Sequence, residues 1–259
     1  MMLRRRFVRD LLICGVACSA APLWLQAVQH PIRVTFVAGT NRERAWTSLV
    51  EEGVKFGIHE ARRTAGLLGR DVTLHPMRDE SGEPDFTVSA APGRVTVRPR
   101  GRMPCLFDIR VRTERRAAAL ARWTSGDACS GCPDGARRAG SVRILEWHPS
   151  LERFGASELN ERFRRATGSE MTAPGWLGWV AVKASVEAAL RSEAPLDCEA
   201  LARARFDGHK GRPLTFDPST RELVQPVYVI TTTGGRERVA GEINPWQPSA
   251  APASDRGSR

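Results

Sequence analysis

Cys129-Ser130-Gly131-Cys132 is the tightest reactive spacing in the chain, a C-x-x-C among Gly126, Gly131, Pro133, Gly135 and Gly140. Such a pair can exchange electrons where it opens a helix in a βαβ unit. It can supply half of a tetrahedral zinc site, or it can close on itself as a disulfide. Pro133-Asp134-Gly135 opens no convincing helix, and a lone C-x-x-C leaves zinc two ligands short. A local Cys129–Cys132 disulfide is therefore expected, with free thiols and a thiol-active pair as the alternatives. Cys105 and Cys198 are the remaining cysteines downstream of the N-terminal leader. One or two disulfides are expected in an oxidising compartment.

Acid–base chemistry finds little support. His30, His59, His75, His148 and His209 are scattered and form neither an H-E-x-x-H nor a Ser/His/Asp pattern. Asp207 and His209 read as turn chemistry. No G-x-G-x-x-G follows a strand, and no residue is marked as a nucleophile. The expectation is a non-enzymatic chain with no metal and no cofactor.

Non-covalent capture is better provided for. Thr40, Asn41 and Arg42 follow a strand, Ile32 to Ala38, and Asp79 follows another, Asp71 to His75. Between them a helix is predicted from Arg42 to about Leu68. Trp46, Leu49, Val50, Val54, Ile58, Ala61, Ala65 and Leu68 mark its inner face. Gly53 and Gly57 within it suggest close packing on a sheet. Strand, helix and strand with short links make a right-handed parallel βαβ unit. In such sheets ligands bind beyond the carboxyl ends of the strands, where these four residues sit. Arg42 offers charge to a carboxylate and Asp79 an acceptor. Trp147 and Trp176 are either core residues or an apolar wall that stacks on a planar ligand.

Further along, Phe86 to Arg98 alternates apolar and polar residues around Pro92-Gly93 and predicts a hairpin. Cys105 to Arg110 predicts a strand, Thr113 to Trp123 an Arg-rich helix, and Ser125 to Gly140 a loop. Val142 to Leu145 is a short strand, followed by a charged helix through Phe163. Trp176 to Leu190 is the most apolar helix after the leader, with a stripe at Trp176, Trp179, Val180, Val182, Val186, Ala189 and Leu190. Strands are expected at Leu214 to Phe216 and Leu223 to Ile230. Helix, turn and hairpin should pack as one unit.

Composition bounds the function. A hydrophobic fraction of 41% supports a real core. The net charge of +10 raises nucleic-acid binding. However, Arg4, Arg5, Arg6 and Arg9 less Asp10 carry +3 of it, leaving +7 interspersed with acids, so no nucleic acid is expected. Residues 1–27 read as a cleaved signal: a basic start, an apolar run Leu11 to Ala21, and small residues to Ala27. The pattern resembles a twin-arginine signal, and an ordinary Sec signal accounts for it as well. Residues 245–259, rich in Pro and Ser, are expected to be disordered.

A family resemblance runs through Trp147-His148-Pro149, Phe154-Gly155-Ala156, Leu159 to Phe163, Trp176 to Ala189, Phe206 to Gly211 and Leu223 to Val229. In this order, these segments resemble the C-terminal part of type I periplasmic solute-binding proteins, the branched-chain amino acid receptors of ABC transporters. The branch associated with PQQ-dependent catabolism is the most similar. Gly69 to Pro84 is similar to the first βαβ of the same family, with its Asp-Glu-x-Gly-x-Pro loop. The resemblance implies an α/β fold, a parallel sheet flanked by helices. It implies a periplasmic location, an ABC permease as partner, and a small ligand, an amino acid or related carboxylate or a compound of quinoprotein-dependent oxidation. Residues 28–140 would form the first lobe, with the hairpin and the cysteine loop. Residues 141–244 would form the C-terminal helix-and-hairpin part. The family has two full lobes. Here the chain passes from the Asp108 strand to the Val142 strand with little between, so the second lobe is expected to be strongly reduced.

Overall fold

The computed structural model describes residues 30–39, 44–76, 83–91, 93–101, 105–125, 141–192 and 196–246. The leader, the Cys129–Cys132 pair, Thr40, Asn41, Arg42 and Asp79 lie outside these residues.

The first sheet begins as its sequence demands. Strand β1 (Ile32–Ala38) buries Ile32 and Val34 and leads into helix α1 (Arg44–Leu67), which returns the chain to β2 (Val72–His75). β1 pairs parallel with β2 and, on its other side, with β3 (Phe86–Ala91). The sheet then changes character. The turn at Gly93 has no crossover helix, so β4 (Arg94–Pro99) runs antiparallel to β3. β5 (Phe107–Asp108) is antiparallel to β4. The order is β2-β1-β3-β4-β5, so the expected parallel sheet is mixed. The expected strand Cys105 to Arg110 is only two residues long as a strand.

After α2 (Thr113–Ser125) come β6 (Val142–Leu145), α3 (Ala156–Thr167) and α4 (Ala173–Arg191). The stripe predicted for α4 becomes a helix buried on nearly every side, from Gly175 through Val182. One flank meets α1 and another meets β3 and β4, which an all-round apolar sequence permits. Gly53 of α1 packs against this helix rather than a sheet. A Cβ there would sit 1.9 Å from the Gly175 carbonyl oxygen, and one at Gly178 would sit 2.1 Å from that of Val50. The two helix backbones are therefore nearly in contact.

The short α5 (Cys198–Ala202) is capped by the Asp197 carboxylate, which accepts from Ala200 N at 2.7 Å. Cys198 is bonded to Cys105, tying α5 to the approach of β5. β7 (Arg205–Asp207), β8 (Pro213–Phe216) and β9 (Leu223–Val224) form a small antiparallel sheet. The strand predicted over Leu223 to Ile230 breaks at Gln225-Pro226. Pro226 has no N–H to give a ladder, and β10 (Val227–Thr233) joins a different sheet. There it lies between β6 and β11 (Arg236–Ile243), antiparallel to both. α2 covers that sheet through Trp123, whose ring lies where a Cβ on Gly241 would be.

Two cores result. The larger joins the first sheet, α1, α3, α4, α5 and the β7–β9 sheet. The smaller holds Val111, Ala119, Trp123, Ile144, Val227, Val229 and Ile243. Pro245 and Trp246 lie inside the stretch expected to be disordered, yet the Arg115 guanidinium stacks 3.8 Å from the Trp246 ring. Residues 247–259 lie outside the described residues.

Candidate functional site

β1 and β3 end side by side, with Ala38 opposite Ala90, and so define a common rim. Gly39 lies at that edge, where a Cβ would be 2.7 Å from the Ala90 carbonyl oxygen. Only a glycine lets the two strand ends approach so closely. Thr40, Asn41 and Arg42 follow at once in the sequence. β2 stops earlier, with His75 opposite Thr35, and Asp79 comes four residues later. The described residues thus bring the ends of β1 and β3 together, but they do not include the four predicted ligand-binding side chains at those ends.

A cleft of about 420 Å³ lies between Gly93 and Arg94 on one side and Arg110, Arg112, Thr113 and Glu114 on the other, with Asp108 at its base. The far wall is the segment entering α2, whose first turn carries the positive end of the helix dipole. Gly93 and Arg110 nearly touch, and a Cβ at Gly93 would meet an Arg110 guanidinium nitrogen at 2.8 Å.

Ion pairs line the cleft. The buried Asp108 carboxylate accepts from Arg94 Nε at 2.6 Å and Nη2 at 3.1 Å, a two-pronged contact. That hydrogen bond raises the Arg94 pKa above its ordinary value. Arg112 Nη2 also donates to Asp108, at 3.4 Å. Glu222, fully buried, accepts from the Arg112 backbone N–H at 2.8 Å and from Arg115 Nε at 3.1 Å. Arg110 Nε lies 3.5 Å from Oε1 of the buried Glu146, and neither atom makes a hydrogen bond. Arg94 and Arg112 remain about half exposed. Their free donors, beside a helix start, suit a small anion such as a carboxylate.

This cluster was missed in the sequence, although a signal was present. Asp108-Ile109-Arg110-Val111-Arg112 alternates charged and apolar residues with Ile109 and Val111 buried. The charged members therefore share one face.

The tryptophans fall on the core side of the alternative. Trp147 and Trp176 are both fully buried and stack on each other at 5.7 Å with their planes 6° apart. Neither lines the cleft. Asp207 and His209 form a turn, with His209 N–H donating to Asp207 Oδ1 at 2.8 Å. Among the described residues no group of three or more His, Cys, Asp or Glu could hold a metal ion.

With the geometry in place, the fold can be compared with known proteins. No family model matches the chain, and no curated protein matches its sequence. Solved structures do match. A protein from Rhodospirillum rubrum, provisionally assigned as a branched-chain amino acid ABC transporter, aligns over 81% of this chain and 99% of its own, at 12% identity and a TM-score of 0.57. An ABC transporter substrate-binding protein from Sphaerobacter thermophilus is 14% identical, with a TM-score of 0.36 over 84% of this chain and 61% of its own. A leucine-binding protein from Thermotoga maritima is 15% identical, with a TM-score of 0.35 over 83% of this chain and 61% of its own. The fold is an α/β arrangement of the type I periplasmic binding protein kind, and it spans only part of the longer chains of that fold. Among the described residues no helix is long and apolar enough to cross a membrane.

Proposed function

We propose that this chain is a substrate-binding component of an ABC transporter, exported to the periplasm, that captures a small carboxylate-bearing solute in the cleft between the β3–β4 hairpin and the start of α2. The observation that carries this reading is a cleft of about 420 Å³ in which Arg94, at the start of β4, and Arg110 and Arg112, just before α2, gather around Asp108. A ligand site needs two walls and a few convergent polar groups, and both are present despite the small second half. Thr40, Asn41, Arg42 and Asp79 are proposed as further contacts because they follow the strands that build the rim. The disulfide between Cys105 and Cys198 fits an oxidising compartment. The ligand class is proposed as branched-chain amino acids or related carboxylates, after the proteins that share the fold. A link to PQQ-dependent catabolism rests on the sequence resemblance. The partner would be an inner-membrane ABC permease.

Thermal-shift measurements on the purified chain test this reading against leucine, valine, glutamate, benzoate and pyrroloquinoline quinone. At least one ligand should raise the melting temperature in a concentration-dependent way, and Arg94→Ala should abolish the rise. If none of them stabilises the protein at millimolar concentration, the capture reading fails.

A further inference from the structure

Among the described residues, three segments carry the chain between its two cores. Ile109 to Val111 leaves the larger core for the smaller, Ile144 to Trp147 returns, and Leu223 to Val227 leaves again. At the point where they converge stands Lys210, on the loop between β7 and β8 and 1% exposed. Its ammonium donates to the carbonyl oxygen of Glu146 on the second crossing. It donates to Gln225 Oε1 at 3.0 Å and to the Pro226 carbonyl oxygen at 2.8 Å, both on the third. Gln225 Nε2 in turn donates to the Ile109 carbonyl oxygen at 2.8 Å, on the first. One ammonium and one amide therefore reach all three crossings.

The match is complete on the donor side. An ammonium has three N–H bonds, and Lys210 has three acceptors. Its Nζ also lies 4.2 Å from the Trp176 ring centroid on α4 and 5.0 Å from that of Tyr228 on β10. The charged groups acting on it are Glu146 after β6, Glu242 on β11 and Arg212 on its own loop, and no carboxylate oxygen is among its hydrogen-bond partners. Burying a cation without a direct counter-ion costs stability, so stabilisation alone does not account for it. The same crossings carry the cleft. Arg110 lies on the first with Arg112 just after it, and Glu146, the ion partner of Arg110, lies on the second.

We infer that Lys210 and Gln225 are positioning residues that clasp the three crossings and so hold the arginine wall at a set distance from the β3–β4 hairpin. The purpose of the clasp rests on the cleft being a binding site, but its existence does not, and its test needs no ligand.

The test is amide hydrogen exchange on the full chain, comparing wild type with Lys210→Met, Gln225→Leu and a packing control, Val180→Ala in α4. If the clasp exists, Lys210→Met and Gln225→Leu each speed exchange at Ile109 and Arg112 by roughly tenfold or more relative to the amides of β1 and β3. Lys210→Met does the same at Tyr228. Val180→Ala, in the larger core, speeds exchange at the amides of β1 and β3 as much as at Ile109 and Arg112. Should Lys210→Met not fold, Gln225→Leu decides alone, because it severs the Ile109 link and one Lys210 bond while leaving the Lys210 bonds to Glu146 and Pro226 in place. Even acceleration in the clasp variants, or unchanged protection at Ile109 and Arg112, would overturn the inference.

Discussion

The two halves of this molecule solve the same problem with unequal means. The larger half closes a five-stranded sheet under two helices whose backbones nearly touch at Gly53, Gly175 and Gly178. Its interior is almost wholly apolar. The smaller half lays one helix, α2, over a three-stranded antiparallel sheet and buries seven hydrophobic side chains. A core of that size supplies little stability by itself. What holds it in place lies at the junction: Asp108, Glu146 and Glu222 beneath a row of arginines, with the Lys210–Gln225 network below. The difference teaches that a small sheet and one helix can be anchored by buried polar contacts where a large apolar core is lacking.

The comparison breaks most visibly at Trp123. Trp123→Ala empties the centre of the smaller core and should cost about 3–5 kcal/mol. Urea unfolding should show that loss, and exchange protection should disappear first from α2 and β11. If protection falls equally in β1, the two halves unfold as one unit. Removing the Cys105–Cys198 bond by Cys105→Ser with Cys198→Ser should cost about 2–4 kcal/mol. Both ends lie in the larger half, so its transition should move while the α2 amides follow only through global unfolding. Gly178→Ala drives a methyl into the Val50 carbonyl and should cost about 1–3 kcal/mol. Because the clash is with backbone, no rotamer change relieves it. A Gly178→Ala variant as stable as wild type would show that α1 and α4 are less tightly apposed than described.

A smaller and more specific effect sharpens the junction. Burial pushes the Lys210 ammonium down to about 7, with the Glu146 and Glu242 carboxylates opposing that shift and Arg212 adding to it. The unfolded lysine titrates near ~10.4. Between these values the unfolded chain holds the extra proton, so this group's contribution makes stability climb as pH rises from about 7 toward 10. The chain has three lysines, Lys55, Lys183 and Lys210. Carbon-13 lysine labelling therefore gives three side-chain signals, and the one lost in Lys210→Met should titrate near neutral pH. Titration of that signal only near its ordinary value would remove the dry environment described for it.

Much of the larger half was legible in the sequence. The periodicity of Trp46 through Leu68, the strand Ile32 to Ala38 and the hairpin around Pro92-Gly93 all carry strong local patterns, and each formed within a residue or two of its expected bounds. The apolar run from Trp176 announced the central helix, but periodicity alone could not say that every side would be covered. The smaller half was harder to read. β11 reads Arg-Glu-Arg-Val-Ala-Gly-Glu-Ile, an edge strand exposed along its first residues, whose pairing with β10 comes from the Gly234-Gly235 turn rather than from hydrophobic alternation. The Cys105–Cys198 bond spans 93 residues, a separation that no local pattern encodes. Lys210 and Gln225 look like ordinary loop residues until three distant segments close over them. The cleft was legible in principle, through the alternation of Asp108 to Arg112. The strand-end residues Thr40, Asn41, Arg42 and Asp79 lie outside the described residues.

The account turns on where a solute lands, and amide chemical-shift mapping on the nitrogen-15-labelled chain reads that most directly. With any ligand that raises the melting temperature, the largest shifts should fall on Gly93, Arg94, Arg112 and Thr113, on both walls of the cleft, and should vanish in Arg94→Ala. Shifts gathered instead along the outer groove between α1 and α4, around Ala61 and Val186, would contradict it.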